Sequence, residues 1–287
     1  MKKGINQWAF PGNATFRDIF TLAAKYGFAG VELCPDEEGM FPLKPGREVL
    51  QEIRSLSQET KVEVRSLATG LFWKYNLASP DPTRRDKAKD VVKALVDLAY
   101  ELSVPSVLVI PGYVHIPWDP ASELVPYGEV IERARESLHE VLPYAQSAGV
   151  VLALENVWNE CFLSPLEFAA FIDSFNSPSV RAHFDTGNVV LFGYPEHWIA
   201  ILGKRIATVH VKDFKKEVGT LQGFCLPLEG DVNWPKVMEA LRNIPYNDYL
   251  IAEFIPPYRH SSEALLANLS YNLGVLINLI QGGDVKE

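Results

Sequence analysis

Eight short β-branched runs, each followed by a longer stretch with helical spacing, limit this chain more than any other feature. They are residues 4–9 (GINQWA), 30–34 (GVELC), 62–68 (VEVRSLA), 106–111 (SVLVIP), 150–157 (VVLALENV), 180–185 (VRAHFD), 206–213 (IATVHVKD) and 249–254 (YLIAEF). Strands that alternate with helices build βα units around a parallel sheet. Over 287 residues the units average about 36 residues, enough for one strand, one helix and two loops. The expected fold is therefore α/β, a (β/α)8 TIM barrel spanning residues 1–287 as a single domain. A doubly wound open sheet is the weaker reading. QWAFPGN follows the first run, where that fold would place a glycine-rich phosphate loop.

The helical stretches carry end signals. Thr15, with Asp18 three residues on, predicts an N-cap and a capping box, and Gly27 predicts the stop. Phe16, Ile19, Phe20 and Ala23 between them recur at helical spacing. A last helix is expected after Ser261-Ser262, with Leu266, Leu269, Leu273, Leu276 and Ile280 on one face and Gly282-Gly283 at its end. Such stripes read as packing against a barrel.

Composition narrows the partners. Hydrophobic residues make up 47% of the chain, ample for a core of this size. The net charge is −9, from 27 basic and 36 acidic residues, and the basic residues are scattered. Nucleic-acid binding draws on basic stripes that meet phosphates, so no nucleic-acid partner is expected. Cys34, Cys161 and Cys225 form neither a disulfide framework nor a metal knuckle, which suits a reducing compartment. The opening MKK lacks the apolar run of a signal peptide, and no stretch approaches the roughly 20 apolar residues of a membrane span. The expectation is a soluble, cytoplasmic protein with no membrane partner.

The chemistry concentrates at the ends of the last four strands. Each is apolar until a metal-ligating residue appears: Glu155, Asp185, His210 and Glu253, separated by 30, 25 and 43 residues. A lone glutamate after a strand is ordinarily a solvated loop residue, and a lone histidine in an apolar strand ordinarily a core residue. Four consecutive strands ending alike is a different matter. Side chains alternate along a strand, so inward-facing ends would converge at the barrel mouth. Three carboxylates there would repel unless protonated or bridged by a cation. Three carboxylates and one imidazole suit Mn²⁺ or Mg²⁺ best, with Zn²⁺ or Co²⁺ as alternatives. His183 shares the face of Asp185 but lies a layer deeper, so it is read as an interior hydrogen-bonding residue.

LALEN, HFDTGN, VHVKD, LEGDVNW and IAEF occur in this order. In this the chain resembles the xylose isomerase-like barrels, in the branch of sugar and sugar-phosphate isomerases and epimerases. The resemblance covers the whole chain. It implies that Glu155, Asp185, His210 and Glu253 bind one divalent metal, with Glu155 and Glu253 doubling as an acid/base pair. It also implies proton abstraction beside a ketose carbonyl through a cis-enediolate, giving a ketose 3-epimerase or an aldose–ketose isomerase. The partner is then a small sugar or sugar phosphate, and a homo-oligomer is compatible.

Substrate contacts are expected at Asn188, Glu32 and Trp8. Asn188 stands three residues after Asp185, where tagatose epimerase-like members place a histidine. Glu32 matches an acidic residue that members often use near the end of the second strand. Trp8, Phe72 and Trp158 could form an apolar wall. Asp213 is expected in a structural ion pair or a functional role, and His115, His139, His197 and His260 at the surface or on helices. Residues 223–231 (GFCLPLEGD) could offer backbone amides to a phosphate. A keto-inositol dehydratase, a hydroxypyruvate isomerase and a non-catalytic sugar-binding protein stay open. A zinc endonuclease does not fit, because only His115 and His139 precede residue 150.

Overall fold

A computed structural model of the chain describes residues 1–255 and 257–279. Its strands are β1 (Lys2–Asn6), β2 (Gly30–Leu33), β3 (Glu63–Leu67), β4 (Ser106–Val109), β5 (Val151–Glu155), β6 (Val180–Asp185), β7 (Ile206–Val211), β8 (Asp213–Phe214), β9 (Phe224–Cys225) and β10 (Tyr249–Ala252). All but β8 and β9 pair in parallel into a closed eight-stranded barrel, β1 meeting both β2 and β10. Helices return the chain from each strand to the next: α1 (Phe16–Lys25), α2 (Arg47–Thr60), a single extra turn α3 (Leu71–Lys74), α4 (Pro82–Leu102), α5 (Tyr127–Ala148), α6 (Pro165–Asp173), α7 (Pro195–Leu202), α8 (Trp234–Asn243) and α9 (Ser262–Asn278). The expected (β/α)8 TIM barrel is the fold, and the open sheet is excluded by closure.

Local chemistry explains the element ends. Thr15 accepts the Asp18 amide at 3.2 Å, and the Asp18 carboxylate accepts the Thr15 amide at 2.9 Å, the reciprocal box its spacing predicts. Gly27 takes φ +73°, the left-handed turn that glycine adopts without strain after a helix. The first strand is displaced from its expected span. Asn6 accepts the Trp8 amide at 2.7 Å and starts a tight turn over Gln7–Ala9, so pairing stops at Asn6 and extends back to Lys2. The seventh strand ends at Val211 rather than Asp213, because Asp213 and Phe214 pair instead with Phe224 and Cys225 as a separate hairpin. In α9, Leu266, Leu269, Leu273 and Leu276 are buried as expected, and Leu265 is buried beside them. Ile280, Gly282 and Gly283 lie outside the described residues.

The barrel has an unusual filling. Val31, Leu33, Leu152, Leu154, Phe184, Val209 and Leu250 are fully buried. They alternate along the strands with buried polar residues: Asn6, Glu32, Ser66, His183, Thr208 and His210. Barrel interiors are ordinarily packed with branched apolar side chains. Burying polar groups is tolerated only when partners satisfy them, which points to a site above. At the opposite end, Arg65 Nε donates to Asp248 Oδ1 at 2.8 Å and a guanidinium nitrogen meets Oδ2 at 2.5 Å, tying β3 to the turn before β10.

Candidate metal centre at the barrel mouth

Strand register brings the four strand-end groups together. Glu155 lies opposite His183, Asp185 opposite His210, and His210 opposite Ile251, two residues before Glu253. The ligating atoms of Glu155, Asp185, His210 and Glu253 all lie within 4.8 Å of one another, and all four residues are buried. His210 Nδ1 is 3.7 Å from Glu155 Oε1, 3.8 Å from Asp185 Oδ2 and 3.7 Å from Glu253 Oε1.

The HFDTGN turn orients Asp185. The Asn188 amide donates to Asp185 Oδ1 at 2.8 Å, which leaves Oδ2 aimed into the cluster. Asn156 clamps the same residue, donating to its carbonyl at 2.9 Å and accepting its amide at 2.8 Å. Asn188 lines the cavity above, and its side-chain amide is also engaged, donating to Glu155 Oε1 at 3.4 Å and the Asn156 carbonyl at 3.0 Å. Gly187 is required by close approach: a Cβ there would stand 2.6 Å from Lys212 Cγ.

Lys212 completes the cluster. Its ammonium donates to Glu253 Oε2 and lies 3.1 Å from Asp185 Oδ2. Alternation from His210 placed it on the same face, a signal present in VHVKD but given no role in the sequence reading.

The electrostatics follow from these neighbours. Burial, with Glu253 nearby, pushes the Glu155 carboxyl up to about 7 even though His210 opposes it. Burial raises Asp185 as well. It would also raise Glu253, but Lys212 and then His210 outweigh it and hold that carboxyl below its ordinary value. His210 is raised because Glu32 and Glu253 overcome burial, which acts to lower it.

His210 Nδ1 is buried with no hydrogen-bond partner among the described residues, and Asp185 Oδ2 is met by the Lys212 ammonium at 3.1 Å. Both atoms face the point that Glu155 and Glu253 also face. Buried polar atoms are rarely left without a partner, as Nδ1 is. One imidazole nitrogen and three carboxylates around such a point fit a divalent cation.

Several expected residues stand elsewhere. Glu32 is fully buried and absent from the cavity lining. It accepts hydrogen bonds from Asn6 Nδ2 and Ser66 Oγ, each at 2.6 Å, and its Oε1 lies 2.6 Å from His210 Nε2. Its place is therefore beneath His210 rather than against a substrate. Burial acts to raise its carboxyl, but His210 dominates and lowers it to about 2. A carboxylate behind a ligating histidine fixes the tautomer that presents the other nitrogen to a metal. Glu32→Gln is expected to weaken Mn²⁺ binding by about 10–100-fold in calorimetric titration. His210→Ala is expected to lose the single bound equivalent. Unchanged affinity in Glu32→Gln would remove Glu32 from this role.

His183 lies a layer below, as expected, but it is not a hydrogen-bonding residue. Neither ring nitrogen has a partner among the described residues. The ring packs edge-on against His210 with centroids 4.0 Å apart, and burial lowers its pKa so that it stays neutral.

Trp8 and Trp158 line the cavity, whereas Phe72 is packed in the core. Successive residues of the α3 turn point in different directions, so Trp73 takes the cavity position. Trp118, Phe224 and Phe254 also line it and were not anticipated. Trp118 and Phe254 sit on loops and Phe224 on the β8–β9 hairpin, all brought together by closure of the barrel.

Asp213 forms no ion pair among the described residues. Its Oδ1 accepts the amides of Phe214 at 2.8 Å and Val232 at 3.0 Å; its Oδ2 accepts the Leu228 amide at 3.0 Å and Trp234 Nε1 at 2.8 Å. Removing such an acceptor strands several buried donors. Asp213→Ala is expected to destabilise by about 2 kcal/mol, read as a thermal midpoint lowered by roughly 4 °C.

Comparison with known proteins now decides the family. The xylose isomerase-like TIM barrel family matches residues 20–269. The chain belongs to that family. Among the relatives of this xylose isomerase-like barrel, the 2-epi-5-epi-valiolone 7-phosphate 2-epimerase of an Actinoplanes species is 27% identical over 220 residues. That alignment covers 75% of this chain and 74% of the relative. The L-ribulose-5-phosphate 3-epimerase of Salmonella heidelberg is 27% identical over 252 residues, covering 86% and 85%. The D-psicose 3-epimerase of Clostridium cellulolyticum H10, solved with D-tagatose, shares the fold with a TM-score of 0.79. Its identity is 20%, and 98% of this chain and 100% of that one are covered. Among the described residues, no helix is long and apolar enough to cross a membrane.

Proposed function

We propose that this protein is a metal-dependent sugar epimerase or isomerase of the ketose 3-epimerase type, with Glu155 and Glu253 as its proton-transfer pair. The observation that carries the reading is the buried four-residue cluster at the floor of the cavity. Relatives that align with most of the chain include a 2-epi-5-epi-valiolone 7-phosphate 2-epimerase, an L-ribulose-5-phosphate 3-epimerase and a D-psicose 3-epimerase. Glu155, Asp185, His210 and Glu253 would hold one divalent cation, Mn²⁺ or Mg²⁺ by donor set. Such a cation supplies Lewis-acid stabilisation of charge that develops on a carbonyl oxygen.

The chain's own residues handle the proton. Glu253, kept ionised by Lys212, takes the proton from the carbon beside the carbonyl. Glu155 faces it across the cluster, and its Oε2 has no hydrogen-bond partner among the described residues, so it is free to return a proton to the other face. Asn188, Trp8 and the walls of the cavity would position the sugar.

The direct test is solvent-hydrogen exchange. Ketopentoses, ketohexoses and their phosphates are incubated with the Mn²⁺-loaded protein in D₂O, and the C1 and C3 protons are followed by NMR. C3 exchange with appearance of the epimer is expected. Loss of a hydroxyl would reassign the protein as a dehydratase. No exchange with any sugar would leave a binding protein.

A further inference from the structure

The cavity above the four carboxylate and imidazole groups is large for the reaction proposed. It encloses about 730 Å³. Cavities of that size accommodate drug-sized ligands, and a monosaccharide is smaller than these. Six aromatic side chains, Trp8, Trp73, Trp118, Trp158, Phe224 and Phe254, line it. Four of them form two pairs. Trp73 and Trp118 meet edge to face, with centroids 4.8 Å apart. Trp158 and Phe224 are 5.1 Å apart, and Trp158 is fixed by donating from Nε1 to the Asn188 carbonyl at 2.8 Å. Trp118 is 42% exposed and so stands at the rim, whereas Glu155 on the floor is 5% exposed. The aromatic surface thus extends from the reacting end to the mouth. Aromatic faces of this kind pack against apolar ring faces.

Nothing comparable serves an anion. Lys212 is the single cation among the described residues lining the cavity, and its ammonium is engaged by Glu253 and Asp185. Asp36 adds negative charge to the lining. Several amides of residues 223–231, the stretch expected to offer them to a phosphate, and that of the next residue are already engaged. Leu226 and Glu229 amides are used within the loop, Asp231 donates to Phe214, and the Leu228 and Val232 amides are taken by the Asp213 carboxylate. Asp213 occupies the position of an anion in that cradle. A Cβ on Gly230 would stand only 2.3 Å from its Oδ1.

We infer that the substrate is an uncharged keto sugar bearing a second ring, glycosyl or aryl, and not a sugar phosphate. This rests on the epimerase reading above. The keto end meets the buried carboxylates, and the second ring lies between the tryptophans toward the mouth.

The test compares four probes with the Mn²⁺-loaded protein: a ketohexose, its 6-phosphate, a 4-O-glucosyl ketohexose and the phenyl glycoside of a 3-keto-hexose. Solvent exchange in D₂O gives kcat/KM, and quenching of tryptophan fluorescence gives binding independently of turnover. At least one two-ring probe is expected to exceed the bare ketohexose by about tenfold or more in kcat/KM, with the phosphate poorest. Trp118→Ala is expected to lower kcat/KM for that probe about tenfold more than for the ketohexose. Preference for the phosphate, or equal rates for one-ring and two-ring probes, overturns this inference and leaves the epimerase reading standing. Two-ring binding that quenches tryptophan without any exchange supports the ring site and overturns the epimerase reading. Absence of both quenching and exchange overturns both.

Discussion

Glu253→Gln and Glu155→Gln are each expected to lower epimerisation by about 10²–10⁴-fold, the range that a positioned acid or base contributes. Glutamine keeps the volume and an acceptor oxygen but cannot carry the proton. Bound metal should therefore stay near one equivalent in both variants, which separates lost proton transfer from a lost site. In the proposed mechanism the two glutamates would act on opposite sides of a planar intermediate, so their losses should differ in direction. Glu253→Gln is expected to stop α-proton exchange from one epimer, and Glu155→Gln from the other. NMR exchange started separately from each epimer reads this. Near-normal turnover in either variant, with metal bound, would remove that residue from the mechanism. Lys212 sharpens the expectation, because its ion pair holds the Glu253 carboxyl below its ordinary value.

The strand-end set was legible because two regular periods cross there. One is the length of a βα unit, which spaces Glu155, Asp185, His210 and Glu253 along the chain. The other is the two-residue alternation that turns each inward. The same alternation identified the deeper layer of His183, but not whether it would find a partner, since that depends on neighbouring strands. Lys212 shares the face of His210, but a lysine is not a metal-ligating residue and the strand-end pattern gives it no role. Glu32 was placed at the substrate by resemblance; its three hydrogen bonds come from β1, β3 and β7, contacts that only closure of the barrel creates. Phe72 and Trp73 differ by one position on a single turn, too fine a distinction for a pattern to make. Asp213 had a charge that suggested an ion pair, and four N–H donors satisfy it instead. Ligand identity was thus local information, whereas the shape of the cavity depends on contacts between loops far apart in sequence.

Metal binding should stabilise the protein more as pH rises. In the metal-free protein, burial pushes Glu155 from an ordinary 4.5 to about 7, and Asp185 is raised by burial too. Between those values the folded chain holds protons that the unfolded chain has released, so stability declines as pH rises through that window. His210, also raised, contributes stability that is present below 6.5 and lost only as pH climbs through its higher folded value. Glu32 and Glu253 are lowered, and the stability they add is complete above 4.5 and disappears only as pH falls below it. In the window from 4.5 to 7 Glu155 loses stability as pH rises, while His183, held neutral by burial, adds stability as pH rises toward 6.5. Ligation needs an unprotonated Glu155 and a neutral His210, so metal uptake must expel protons and tighten with pH. At about a thousandfold excess over Kd, Mn²⁺ adds about 4 kcal/mol, which raises the thermal midpoint by roughly 8 °C in a chain of this size. That rise should be larger at about pH 7.5 than at about pH 5.5, should vanish with EDTA, and should come with acidification of a weakly buffered solution during titration. Equal shifts at both pH values, with no proton release, would place the cation away from these four residues. The protons held by the metal-free cluster are the ones a cation must displace, and their release reports occupancy without any substrate being known.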